Sequence, residues 1–418
     1  MKNKKDKTLL SLYIHIPFCV KKCLYCDFLS ANASDKQKQA YVEALLGEMD
    51  FWKETLQKHY SLKTVFIGGG TPTCLTPEQF FQIGTKLCDI WEPNERSKIE
   101  FTVEANPGTI TAEHMQVLKE IGVNRLSLGL QSAQNKELAA LGRIHTFEKF
   151  LESYDSLRKN GFHNINIDLM ADIPGQTIES YRQTLKTVLA LEPEHISSYS
   201  LIVEEGTPFY KMQEEGLLIL PDEDTDREMY ALTKEMLQEK GYTRYEISNY
   251  ARKGRECLHN LTYWQMGEYL GMGLGAASYF SGYRFQNTRQ MDVYLRQFGK
   301  SRHTNTNNFN GSKRGTSPLE AVDCLREGFI ETEAFEKLGK REEMEEFVFL
   351  GLRMMEGISL SEYQNRFGVD FREQYRTVLK SLLEKSLLAE SGNHDRIYLT
   401  SRGIDVSNRV LAEFLLTD

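Results

Sequence analysis

Apolar residues in this chain come in short runs, separated by stretches in which they return every three or four positions. Five runs have strand length: LYIHIPF (12–18), TVFIGGG (64–70), IEFTVEANP (99–107), RLSLGLQS (125–132) and INIDLMADIP (165–174). A sixth, HISSYSLIV, follows at 195–203. Between them, YVEALLGEMDFWKETL and AEHMQVLKEIG carry the spacing of amphipathic helices. The pattern predicts repeated βα units and an α/β fold. The six runs occupy about 190 residues, whereas a complete eight-unit barrel takes about 250. A partial (β/α)6 barrel is therefore expected, with a doubly wound open sheet as the alternative. In both, residues at the carboxyl ends of the strands meet on one rim, where ligands bind.

From 303 to 317 the text becomes HTNTNNFNGSKRGTS, which is linker or loop chemistry. We expect three segments: 1–210 as the partial barrel, 211–310 as an extension, and 311–418 as a C-terminal α+β domain. In the last, EEMEEFVFLGLRMMEG, SLSEYQNRFG and REQYRTVLKSLLEKSLL read as helices. LLAESGNHDRIYLT reads as a hairpin, and a final helix runs to Leu416. That order resembles a winged helix. Residues 317–418 hold 13 Lys plus Arg against 20 Asp plus Glu, a net of −7, the wrong sign for phosphate contacts.

Composition narrows the class further. The chain of 418 residues is 40% hydrophobic and 26% charged, as in soluble proteins, and no stretch approaches the ~18 uninterrupted apolar residues of a membrane span. A net charge of −8 gives no general attraction to nucleic acid or anionic lipid. The start, MKNKKDKTLLSLYIHIPFC, copies a basic leader, but a Tyr, a His and a Pro interrupt it and no small-residue cleavage site follows. Seven scattered cysteines do not form a disulfide framework. A cytoplasmic protein with reduced thiols is the expectation.

Three of those cysteines, Cys19, Cys23 and Cys26, stand together as C-x3-C-x2-C directly after the first strand. One short loop of this spacing wraps three corners of an iron–sulfur cubane and leaves the fourth iron open to a small ligand. A structural zinc site closes with four ligands, and no fourth cysteine stands at the expected distance. The glycines of GGGTP (68–72) allow a ligand to approach the backbone closely.

CVKKCLYC resembles the signature of the radical S-adenosylmethionine (SAM) superfamily, with Tyr25 before the last cysteine. The resemblance implies a [4Fe–4S] cluster on Cys19, Cys23 and Cys26, its open iron chelated by the amino and carboxylate groups of SAM. It makes Gly69, Gly70 and Thr71 the contact for the methionyl amino group. Glu104 in VEANP, Gln131 in GLQS, Arg143 in LGRIH and Asp168 in NIDLM match the SAM pocket of the HemN-like branch. There the arginine pairs with the cofactor carboxylate, as its planar fork suits. Tyr13 and Phe28 fall on further cofactor positions of that branch. Glu104, Gln131, Arg143 and Asp168, each taken alone, are as readily helix caps or salt-bridge partners.

Within the branch, HemN-type oxidases carry a further cysteine two positions after the third, where this chain has Phe28. They also have a longer extension before the cluster than the 18 residues found here. HNLTYW, from His259 to Trp264, resembles the HNxxYW motif of the HemW haem chaperones. That resemblance implies a haem site: His259 offers an axial imidazole, and Tyr263 and Trp264 offer flat walls. Cys257 is read as packed, and Cys74, Cys88 and Cys324 as structural. Ala277 stands where several relatives have a histidine, which leaves the second axial ligand open.

The implied function is binding of haem beside a SAM-ligated cluster, and transfer of the haem to an acceptor protein that the sequence does not identify. Whether the chain is an enzyme stays open at this stage. The rivals are an oxygen-independent coproporphyrinogen oxidase, a radical methyltransferase that opens the haem ring, and a purely structural or DNA-binding role. An electron donor is implied. Peripheral membrane contact and a homodimer stay open, and nucleic acid is not expected as a partner.

Overall fold

The computed structural model describes residues 7–90, 98–299, 317–328 and 330–416. Six strands carry the sheet: β1 (Thr8–Ile16), β2 (Tyr60–Gly69), β3 (Glu100–Ala105), β4 (Arg125–Gln131), β5 (Ile165–Ala171) and β6 (His195–Ser200). Each is parallel to the next. The helices between them are α1 (Asp35–His59), α2 (Pro77–Cys88), α3 (Ala112–Glu120), α4 (Asn135–Ala140), α5 (Phe147–Lys159) and α6 (Ile178–Leu189). Threonines cap four of these helices: Thr76, Thr111, Thr146 and Thr177 each accept a backbone N–H of the first turn.

Successive strands lie side by side in chain order, so the sheet steps in one direction throughout. A doubly wound sheet would reverse at a switch point, and no reversal occurs among these six. After α7 (Pro208–Glu214) and α8 (Glu223–Glu239), β7 (Thr243–Arg244) and β8 (Asn249–Ala251) extend the β6 edge. On the β1 side lie β9 (Tyr269–Met272), β10 (Ala277–Phe280), β11 (Tyr283–Asn287) and β12 (Thr332–Lys337). The twelve strands end in two edges, so the sheet is open, a partial barrel.

Strand alternation explains why a polar interior forms. Leu10, Leu12, Ile14, Val65, Ile67, Val103, Leu126, Leu128, Ile165 and Ile167 are buried in the main core. The intervening residues, including Glu104, Ser127, Asn166, Asp168 and Ser197, line a cavity instead. The period of two thus sends apolar side chains outward to the helices and polar ones inward to the lumen.

A second core is built from Leu338 to Phe414 and takes in Met266 and Tyr279 from the preceding segment. Its elements follow the winged-helix order: a helix (Lys340–Gly351), β13 (Ile358–Ser359), helices Leu360–Phe367 and Arg376–Glu384, then the hairpin β14 (Leu388–Glu390) and β15 (Arg396–Leu399). The final helix expected to Leu416 is two short ones, Ser401–Asp405 and Ser407–Ala412, broken at Val406, whose ψ of 29° is not helical. The 310/311 boundary and most of the 303–317 linker fall outside the described residues. Among those described, Ala321, Val322, Leu325 and Ile330 still pack on the first core. Among the described residues no helix is long and apolar enough to cross a membrane.

Candidate functional site

The cysteine loop follows β1, which ends at Ile16, and is held by backbone hydrogen bonds. Cys19 N–H donates to Ala31 O (3.0 Å), and Leu24 N–H donates to Leu141 O (3.1 Å). His15 adds a clamp from inside, with Nε2 2.9 Å from Leu29 O and Nδ1 2.9 Å from the Tyr13 hydroxyl. All three thiols line one cavity of about 360 Å³ at the carboxyl ends of the strands. Among the described residues no three His, Cys, Asp or Glu side chains converge tightly enough to hold a single ion. A cubane does not ask for that, because each thiolate binds a different iron. Burial pushes the Cys26 thiol up to about 11, so metal binding there has to displace a proton.

The glycine turn beside the loop leaves no room for a side chain. Gly69 has φ +112°, and a Cβ there would run into the His15 ring. At Gly70 a Cβ would lie 2.6 Å from Phe18 O. Gly69 N–H donates to Glu104 Oε2 at 3.0 Å, so the turn and the carboxylate form one cradle. Burial, followed by the neighbouring Asp168, pushes Glu104 up to about 8. Burial likewise raises Asp168, against hydrogen bonds that favour its charged form. Asn166 Nδ2 donates to Asp168 Oδ1 at 2.7 Å. Lumen carboxylates of this kind can hold hydroxyl or amino groups of a ligand.

Arg143 brings a cation to the same rim. It donates to Asn106 Oδ1 (2.8 Å), Cys23 Sγ (3.6 Å) and Gly129 O, while its buried Nε has no partner. A guanidinium beside a cluster thiol with an unused donor fits an incoming carboxylate. Gln131, at a left-handed φ of 74°, accepts from the Tyr199 hydroxyl (3.2 Å). Thr71 Oγ1 accepts from Asn106 Nδ2 (2.6 Å) and lies 3.6 Å from Cys19 Sγ. Phe28, 62% exposed, stands on the outer lip of the cavity. Of the residues expected to hold SAM, only Tyr13 lies off the cavity wall, packed between His15 and Phe66. The donor set as a whole fits a [4Fe–4S] cluster with a zwitterionic ligand.

The HNLTYW segment is helix α9 (Leu258–Trp264), and it plugs the floor of the lumen. Glu100 of β3 accepts the N–H groups of Leu258 (2.9 Å) and His259 (3.0 Å), capping the helix with a carboxylate. Thr262 Oγ1 meets Ser11 Oγ at 2.9 Å. His259 is 1% exposed and stacks on Phe66 at 5.0 Å. Its Nδ1 is 2.7 Å from Thr64 Oγ1 and its Nε2 2.8 Å from the Tyr263 hydroxyl. Burial, helped by Arg125 and Lys63, lowers its pKa to about 3. The open imidazole expected for haem is therefore not what this conformation offers: both ring nitrogens are engaged and the ring is inside. Trp264 faces the other way, under the Arg353 guanidinium of the second core's first helix region (4.6 Å).

Reading by sequence passes over Asn106, Arg125, Asn166, Asn249 and Asn260, all of which line the cavity. The signal for the strand residues is the same alternation that marks Glu104 and Asp168. Asn260 sits inside the HNLTYW motif and faces the cavity from the floor. Cys257 is buried beside Glu100 (3.6 Å), as a packed residue should be.

Comparison with known proteins places these features. The radical SAM superfamily model matches residues 13–188 and the HemN C-terminal domain model residues 338–406. The heme chaperone HemW of Lactococcus lactis is 35% identical, over 98% of this chain and 98% of its own length. That of Bacillus subtilis is 36% identical over 97% and 99%, and that of Escherichia coli 37% over 64% and 69%. The solved coproporphyrinogen III oxidase (HemN) of Escherichia coli superposes with a TM-score of 0.78 at 22% identity, covering 98% of this chain and 90% of that one. At that identity the likeness establishes the fold.

Proposed function

The chain belongs to the HemW family of heme chaperones, and from that we propose that it binds haem and passes it to an acceptor protein, with a SAM-ligated [4Fe–4S] cluster in its lumen. The observation that carries this reading is the family match over nearly the full length, on a chain whose three loop thiols share one cavity with Arg143, Glu104 and Asp168. When bound, the cluster supplies an open iron that holds the cofactor's amino and carboxylate groups. Arg143 then orients the carboxylate, the Gly69–Gly70 turn gives close backbone approach, and Glu104 and Asp168 hold the polar parts of the nucleoside. Tyr13 acts through His15, which pins the cluster loop at Leu29.

The haem contact at His259, Tyr263 and Trp264 belongs to this proposal with one structural condition. Nε2 is an axial ligand only after it gives up the Tyr263 hydroxyl, and the macrocycle reaches it only if α9 leaves its seat between β1, β2 and β3. Haem loading is thus coupled to withdrawal of the plug. Anaerobic titration of haemin, followed at the Soret band, tests this: saturation near roughly one haem per chain is expected, weakened in His259→Ala. Equal binding by both proteins would remove His259 from the haem site, and no binding by either would end the chaperone reading. The oxidase alternative has the shared fold in its favour but not the fourth cysteine, because Phe28 occupies that position.

A further inference from the structure

Below the groups assigned to SAM, the lumen holds a cation whose charge is steadied by nearby Glu100 and Asp168 but which neither of them hydrogen-bonds. Arg125 opens β4, is 2% exposed, and lines the cavity floor. Among the described residues no side-chain hydrogen bond or ion pair within 4 Å engages its guanidinium, and its Nε–H is buried without a partner. Thr102 is its register partner on β3, so the two side chains stand next to each other on the lumen face. The Thr102 hydroxyl is buried without a partner too. Two adjacent orphan donors, one of them a guanidinium, form the pattern that receives a carboxylate. Asn249 Oδ1, on the same cavity wall, also lacks a donor.

The carboxylates of the lumen do not fill this role. Glu100 spends its oxygens on the N-terminus of α9. Asp168 is bound by Asn166 and Ser127, and Glu104 by Gly69. Nor is the floor part of the rim: six residues of strand at ~3.3 Å each separate the Arg125 backbone from Gln131 by about 20 Å.

We propose that Arg125 and Thr102 form an anion subsite on the cavity floor that receives the carboxylate of a second organic ligand sharing the lumen with SAM. The carboxylate comes either from a free small acid or from the propionate arm of a tetrapyrrole, and the subsite stands whether or not haem is the cargo. The test uses the full-length, cluster-loaded protein with saturating SAM, and follows binding of carboxyl-labelled propionate by carbon NMR. Saturable binding to the wild type is expected, at least tenfold weaker in Arg125→Lys, which keeps the charge and loses the fork, and absent in Arg125→Met. SAM affinity and melting temperature report whether each variant is folded, and if Arg125→Met is not, Arg125→Lys decides. A wild type that takes up no propionate, or a folded variant that binds it equally well, overturns the subsite and leaves the floor to ordered water. Haemin displacing propionate where its dimethyl ester does not identifies a tetrapyrrole arm. Competition by small acids alone identifies a free carboxylate.

Discussion

His259→Phe separates the structural work of the motif from any work on haem. The ring is fully buried, stacked on Phe66, with a partner on each nitrogen. Phenylalanine keeps the stacking and strands Thr64 Oγ1 and the Tyr263 hydroxyl, at about 1–3 kcal/mol for each buried polar group left unpaired. A loss of roughly 2–6 kcal/mol at pH 7 follows. The wild type, however, has its own pH dependence at this residue. The folded-state pKa is lowered from 6.5 to about 3, so the unfolded chain binds the proton first. The neutral ring's contribution is complete above 6.5 and is lost as the pH falls from there toward 3. Between pH 7.0 and 5.5 that amounts to roughly 1 kcal/mol. Urea unfolding of both proteins without haem, followed by tyrosine and tryptophan fluorescence, should show the gap between them narrowing by that amount at pH 5.5. Other titrating groups are common to both and cancel. A gap that stays constant or widens on acidification would refute the buried, doubly bonded imidazole.

Further outcomes follow from the same geometry. Cys23→Ser should abolish the cluster's visible absorbance and lower iron content, while the melting temperature of the metal-free protein stays within about 2 °C of wild type. Gly69→Ala puts a Cβ into the His15 ring at φ +112°, a strain of about 1–3 kcal/mol, and should weaken SAM binding by calorimetry more than it lowers stability. Glu104, raised from 4.5 to about 8, contributes stability fully present below 4.5 and lost as the pH rises toward 8. Glu104→Gln should therefore flatten that decline in pH-dependent melting curves. Trp264→Ala removes the stacking of Arg353, worth about 2 kcal/mol when desolvated. It should speed limited proteolysis between the two cores without changing iron content.

The sequence by itself determined the architecture and the thiol chemistry. The βα rhythm survives because each strand and helix encodes its own burial locally, and the cysteine loop is legible because one continuous segment supplies all three thiols. Gly69, at the end of β2, was readable because a βα turn puts its last strand residue on the rim in any arrangement of this class, and Glu104 and Asp168 because strand alternation turns them to the lumen. Tertiary structure alone decided what the interior does. Arg125 and Thr102 are 23 positions apart in the chain and become neighbours only through β3–β4 register. The histidine of HNLTYW looks like a free ligand in one dimension. Its two nitrogens are claimed by Thr64, far back on β2, and by Tyr263, one helical turn on. Such partners are set by how α9 seats across three strands, and no local pattern of hydrophobic and polar residues carries that information.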